Sequence, residues 1–219
     1  MFKNRVEAGK LLANKLLQYK NAQAVVIGLA RGGIPVAFEI AYVLCAYLDV
    51  ALVKKLGAPM QEELAIGAIV DGKNPQIFLN NEIIKHLNIT KNYIDEITEI
   101  KLSEIRKREK IYRSGRDRID IAGKIVIVVD DGIATGASIK VVIRYLKSEN
   151  PKKIIVAVPV APIETIAELK REVDEVVVLS APENFYAVGA SYDDFSQTSD
   201  KEVISLLDKA NDNLCFVKP

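Results

Sequence analysis

The residues with the clearest chemical potential are two adjacent carboxylates, Asp130 and Asp131, set between the apolar run Lys124–Val129 and the small-residue stretch Gly132-Ile133-Ala134-Thr135-Gly136-Ala137-Ser138. The β-branched residues before the pair predict a buried strand. The small residues after it predict a loop that opens a helix over Ala137–Ser148. In an open parallel sheet, ligands lie off the carboxyl ends of the strands. Gly132 and Gly136, with Ala134 and Ala137, let backbone N–H groups approach an anion closely. The helix start adds its positive end, and Thr135 and Ser138 add hydroxyl donors. Two carboxylates beside such a cradle suit sugar hydroxyls and a Mg²⁺ ion, met directly or through water. The chemistry indicated is the holding of a sugar phosphate. An isolated Asp-Asp pair is often only a helix cap; the ordered run of strand, carboxylates, small residues and hydroxyls is far more restrictive.

A second loop has the same character. The strand-like run Ala24–Gly28 leads into Leu29-Ala30-Arg31-Gly32-Gly33, followed by a predicted helix over Ile34–Tyr47 with Pro35 in its first turn. Gly32 and Gly33 permit close backbone approach to an anion, and the plain alternative is a β-α turn with a solvated Arg31. Lys54 and Lys55 end a second predicted strand, Val50–Leu56. Strand alternation turns only one of the two into the cleft, taken here as Lys55.

These loops need a frame. Apolar spacing predicts a first helix over Arg5–Tyr19, and the helix between two strands makes a βαβ unit, which implies a parallel sheet. Glu63–Leu79 reads as a hairpin about the turn signal Asp71-Gly72-Lys73-Asn74-Pro75. Two helices are expected from Asn80 to about Tyr112, the second heavily charged. Strand–helix alternation resumes with Lys124–Val129, Ala137–Ser148, Lys153–Val158, Ile163–Arg171 and Glu175–Leu179, and a last helix is expected over Lys201–Asp208. The prediction is an α/β, doubly wound, mostly parallel sheet forming a single domain over residues 1–219. A hairpin and charged helical lid span about 57–118, and a small variable hood spans about 181–198.

Composition narrows the function classes. Lys and Arg number 30 against 29 Asp and Glu, so no global field draws the chain to nucleic acid or an anionic membrane. No apolar run reaches bilayer-spanning length. The two cysteines, Cys45 and Cys215, lack metal-ligand spacing, and Cys45 reads as a small core residue, so a cytoplasmic location is expected. Asp-x-Asp, Walker-type Gly-Lys-Ser/Thr and G-x-G-x-x-G patterns are absent from both loops. The single histidine, His86, falls on a predicted surface helix, which argues against a Ser-His-Asp triad, and one histidine cannot make a multi-histidine metal site.

The segment Asp130–Ser138 resembles the phosphoribosylpyrophosphate-binding motif of type I phosphoribosyltransferases. Val26–Gly33 looks like that family's pyrophosphate loop, which often carries a cis peptide, here Ala30–Arg31. Leu56-Gly57-Ala58-Pro59, Glu63–Ala68, Tyr112-Arg113, Ala187-Val188-Gly189 and Tyr192–Phe195 are similar to a bacterial and archaeal group of predicted phosphoribosyltransferases of unsettled substrate. The resemblance implies an enzyme that binds 5-phosphoribosyl-1-pyrophosphate (PRPP) with Mg²⁺, transfers the phosphoribosyl group to a nitrogen acceptor such as a nucleobase, and releases pyrophosphate. By it, Asp130 and Asp131 orient ribose and face the metal, and Gly132–Ser138 hold the 5′-phosphate. Ala30, Arg31, Gly32, Gly33, Lys55, Tyr112 and Arg113 serve pyrophosphate. Asp130, Asp131, Lys55 and Arg31 form the catalytic set, and a homodimer is expected. A non-catalytic sensor of PRPP or nucleotide on the same fold is the alternative.

The resemblance also shows departures. Hypoxanthine/guanine enzymes usually carry an Asp just before the Thr-Gly, where this chain has Ala134, and a Lys on the following strand, where Ile154–Pro162 has no basic residue. A 6-oxopurine acceptor is weakened accordingly. In the hood, Phe185, Tyr186, Tyr192 and Phe195 either stack on a planar base or form a small core beneath the loop.

Overall fold

The computed structural model describes residues 1–72 and 75–211. Lys73 and Asn74 of the expected turn, and Cys215, lie outside the described residues. Five strands form the main sheet: β1 (Val25–Leu29), β2 (Tyr47–Ala51), β6 (Ile125–Val129), β7 (Lys153–Val160) and β8 (Glu175–Ser180). All pairings are parallel, in the order β2-β1-β6-β7-β8. Three further strands, β3 (Val53–Ala58), β4 (Gln61–Val70) and β5 (Gln76–Leu79), form a separate antiparallel sheet.

Near-continuous apolar strands are what a parallel sheet covered on both faces requires. Period-2 alternation sorts them. Val26, Ile127, Val129 and Ile155 pack with helices α1 (Arg5–Lys15), α2 (Gly33–Leu44) and α7 (Asp200–Asn211) through Leu12, Leu16, Ile40, Leu44, Val203 and Leu207. Val25, Val126, Val128 and Val156 face α5 (Ala137–Ser148) and α6 (Ile163–Leu169) through Val142, Ile143, Leu146 and Leu169. The doubly wound sheet expected from sequence is the one observed.

Strand order reverses between β1 and β6, with Gly28 opposite Val129. The loops leaving these two strands therefore emerge side by side, the place where such sheets bind ligands.

Three expectations are corrected. The predicted strand Val50–Leu56 is two strands in two sheets, β2 and β3. The Leu52 N–H donates to Asp71 Oδ1 at 2.8 Å rather than to a ladder partner, which ends one strand and lets the next turn away. The first helix stops at Lys15, and a 3₁₀ turn, Leu17–Tyr19, completes the segment. Cys45 is not a core residue: it is half-buried and forms the left-handed C-cap of α2 (φ 50°).

The hairpin β3–β4 and the helices α3 (Asn81–His86) and α4 (Lys91–Arg113) fill the region read as a lid. Thr90 caps α4 through the Tyr93 N–H, and the Tyr93 hydroxyl donates to the Gly57 carbonyl at 3.0 Å, tying the long helix to β3. Among the described residues no helix is long and apolar enough to cross a membrane.

Candidate functional site

The loop after β6 is shaped by its own small residues. Asp130 Oδ1 accepts the Asp131 N–H at 2.9 Å, and the Ile133 N–H donates to the Val160 carbonyl at 2.9 Å, tying the loop to β7. The Thr165 hydroxyl donates to the Ala134 carbonyl at 2.9 Å. Gly136 takes φ 73°, a left-handed turn that only glycine adopts freely, and α5 starts at the next residue. With Lys55, Asp130 and Val188, the segment Gly132–Ile139 lines an open cavity of about 210 Å³ at the start of α5. Ala134, Thr135 and Ala137 are exposed to it. Backbone amides and a helix N-terminus with Lys55 opposite are an arrangement suited to an anion.

The loop after β1 presses against it. The Ala30–Arg31 peptide is cis, at the bond the sequence resemblance implied. A Cβ on Gly32 would overlap Asp131 Oδ2, and one on Gly33 would stand 2.8 Å from the Val129 carbonyl oxygen and 3.0 Å from Asp130 Cα. Glycine at both positions is the condition for the two loops to share one cleft.

The carboxylates are electrostatically distinct. Burial, then the neighbouring Asp131 carboxylate, push the pKa of Asp130 well up. Burial also raises Asp131, and the Arg5 guanidinium opposes that rise. Arg5 is a site residue that sequence reasoning missed: it pairs with Asp131 at 2.7 Å from the far end of the chain.

On the other side, the Arg31 guanidinium lies 3.6 Å from Asp200 Oδ1, the first residue of α7, and the Tyr112 hydroxyl donates to the same oxygen at 2.5 Å. Asp200 also went unread in the sequence. Lys54 pairs with Glu104 at 2.8 Å, whereas Lys55 is exposed toward the cradle, the division that alternation gives.

The structure does not bring Tyr112 and Arg113 to the loops as lid residues. Tyr112 is fully buried, and its hydroxyl and the Arg31 guanidinium meet the same oxygen of Asp200. Arg113 is buried beneath β2, with Nη1 at 2.5 Å from Asp49 Oδ1 and Nη2 donating to the Val50 carbonyl. The buried Asp49 draws this arginine inward, away from the charged stretch that precedes it.

The hood aromatics divide. Tyr192 is buried; it donates to the Asp131 carbonyl at 2.5 Å and packs against Phe2 and Phe195, with ring centroids 5.5 and 5.1 Å away. It anchors the hood, and its ring is closed to a base. Phe195 lies beneath the Arg5 guanidinium, 4.0 Å from ring centroid to Cζ. Phe185 is half-buried, and Tyr186 is 89% exposed. Val188 closes over the loop so tightly that a Cβ on Gly132 would overlap its Cγ1.

Among the described residues no cluster of three or more His, Cys, Asp or Glu side chains could hold a metal ion. Two adjacent carboxylates fit an ion that keeps its waters and takes its remaining ligands from substrate phosphates, which is how Mg²⁺ is usually held.

The family model of the phosphoribosyl transferase domain matches residues 3–194. A Mycobacterium tuberculosis protein whose name assigns it to the phosphoribosyl transferases is 43% identical over 211 residues. The match covers 96% of this chain and 47% of that protein, so the chain spans about half its relative's length. The crystal structure of TT1426 from Thermus thermophilus superposes with a TM-score of 0.79 at 39% identity, covering 94% of this chain and 97% of the other. A transcriptional regulator, GfcR, from Methanococcus maripaludis is 42% identical over 59 residues, covering 26% of this chain and 29% of that protein.

Proposed function

The chain belongs to the phosphoribosyl transferase domain family, and from that premise we propose that it binds PRPP with Mg²⁺ and transfers the phosphoribosyl group to a nitrogen acceptor, releasing pyrophosphate. One observation carries the reading: Gly32 and Gly33 abut Asp131, Val129 and Asp130, which makes the two anion-binding loops one cleft. A ligand with a phosphate at one end of a sugar and a diphosphate at the other fits a cleft with two such cradles.

In this reading Gly132–Ser138 hold the 5′-phosphate through backbone N–H groups and the Thr135 and Ser138 hydroxyls. Asp130 and Asp131 accept hydrogen bonds from the ribose hydroxyls. Ala30–Gly33, Arg31 and Lys55 take the pyrophosphate, with Arg31 exchanging Asp200 for the incoming anion. Mg²⁺, held by Asp130, Asp131 and substrate oxygens, would supply charge neutralisation at the pyrophosphate. The acceptor nitrogen forms its bond to ribose C1 as the C1–oxygen bond breaks. The electron pair stays on the departing pyrophosphate, and the acceptor's proton leaves to water. The chain's own contribution is positioning and fixed charge. Tyr186, exposed on the hood, is the aromatic available to a planar acceptor such as a nucleobase; Phe185 stands beside it in the chain. A homodimer and an intracellular role in nucleotide metabolism complete the proposal.

The partial match to GfcR favours a second reading, a regulator that binds the same ligand without turnover. One assay separates the two. Mg²⁺ and PRPP are incubated with the protein and a panel of purine and pyrimidine bases, and pyrophosphate is measured. Base-dependent release establishes the transferase and names its acceptor; PRPP binding with no release from any base favours the sensor, or an acceptor outside the panel.

A further inference from the structure

The N-terminal helix delivers a cation into the cleft. Asn4 caps α1 by accepting the Glu7 N–H at 3.0 Å, which makes Arg5 the first helical residue. Its Nε donates to Asp131 Oδ2 at 2.8 Å, and its Nη2 lies 2.7 Å from the same oxygen. Nη1 donates to the Ser196 carbonyl at 2.7 Å, and the guanidinium plane rests on Phe195. The two charged side chains are 11% and 14% exposed, so this is a desolvated pair rather than a surface contact of little consequence. On its other side Asp131 Oδ2 meets Gly32. Oδ2 is therefore held between an arginine and the space that a glycine leaves open, and neither Arg5 contact uses Oδ1.

We propose that Arg5 is a positioning residue that fixes Oδ2 of Asp131 so that Oδ1 is presented to a ribose hydroxyl, making selectivity for the hydroxylated pentose phosphate depend on Arg5. The proposal rests on the reading of the β6 loop as a sugar-phosphate site. An unpinned carboxylate rotates about its terminal bond, and a hydroxyl arriving at it must pay to order it. Fixing one oxygen in advance removes that cost for a ligand bearing the hydroxyl and gives nothing to one that lacks it. Lysine in place of Arg5 keeps the charge but loses the planar fork that sets the carboxylate's orientation.

The test is calorimetric titration of the full chain with ribose 5-phosphate, 2-deoxyribose 5-phosphate, 3-deoxyribose 5-phosphate and inorganic phosphate. It compares the parent with Arg5→Gln and Arg5→Lys. The parent is expected to bind ribose 5-phosphate about 10-fold more tightly than at least one deoxy analogue, the scale of one charge-assisted hydrogen bond. Both variants are expected to shrink that preference below about 3-fold while inorganic phosphate, which meets only the amide cradle, binds within about 2-fold of the parent. Undiminished preference in the variants overturns the proposal. A parallel loss of inorganic phosphate binding overturns it too, because Arg5 would then be holding the fold and not the carboxylate. A parent that binds ribose 5-phosphate with no preference for its hydroxyls sinks this inference while leaving the sugar-phosphate reading intact; a parent that binds no ribose 5-phosphate removes both.

Discussion

Gly32 stands against the Asp131 carboxylate so closely that a Cβ on it would overlap Oδ2. A residue of the β1 loop thus fixes where a residue of the β6 loop can put its charge. Gly32→Ala is expected to push the carboxylate out of place, weakening Mg²⁺–PRPP binding by more than about 10-fold, the loss that follows from one misplaced charge-assisted contact. Calorimetry measures the affinity, and thermal melting checks that the fold persists. Binding equal to the parent would show that the carboxylate has room to move.

Asp130 carries a stability cost. Burial and Asp131 raise its folded-state pKa above the unfolded value, so the native state holds the proton more tightly than the unfolded chain does. The stability this contributes is complete below the unfolded carboxylate pKa and is lost as pH rises through the higher folded value. Asp130→Asn keeps an oxygen for the Asp131 N–H and removes the ionisation. The variant is expected to be more stable than the parent at pH 8, with the difference shrinking at pH 4, as urea unfolding at the two pH values will show. The same variant is expected to lose PRPP binding. A parent as stable as the variant at pH 8 would contradict the electrostatic account.

Arg113 is expected to behave as a structural residue. Its removal leaves Asp49 buried without its partner, and breaking a buried pair from one side costs about 3–5 kcal/mol. Arg113→Ala should unfold at markedly lower urea, and Asp49→Asn in the same chain should recover part of the loss. A variant with parental stability and weakened pyrophosphate binding would return Arg113 to the lid.

Tyr186 is exposed, so its loss should cost the fold less than about 0.5 kcal/mol. Tyr186→Ala is expected to raise KM for the acceptor several-fold and to leave PRPP affinity unchanged. Steady-state kinetics with the acceptor found in the base panel decides it; an unchanged KM would place the acceptor elsewhere under the hood.

What was legible in the sequence was local. Asp130–Ser138 and Leu29–Gly33 each hold their chemistry in one continuous stretch, and their strand–loop–helix context is written in β-branched runs followed by small residues. Apolar runs of the right length likewise gave the parallel sheet and the helix starts to within a residue, but not the ends: α2 stops at Leu44 rather than Tyr47, which opens β2, and α7 runs on to Asn211. Relationships across the chain were not legible. Arg5 reaches Asp131 over 126 positions, and no spacing rule ties a helix N-terminus to a distant loop. Asp200 meets Tyr112 over 88 positions in the same way. The break between β2 and β3 has no glycine or proline to announce it, because Asp71 makes it from outside the segment. Arg113 sits beside a run of charges, and the buried Asp49 explains why it turns inward while Lys107 and Lys110 stay exposed.

The most direct test of the central claim is a titration of PRPP with Mg²⁺ into the parent protein and into the Asp130→Asn, Asp131→Asn double variant. The account predicts saturable binding to the parent and none to the variant, with both proteins folded. Parent and variant binding alike would move the sugar phosphate away from the β6 loop, and a folded parent that binds no PRPP would contradict the proposed function outright.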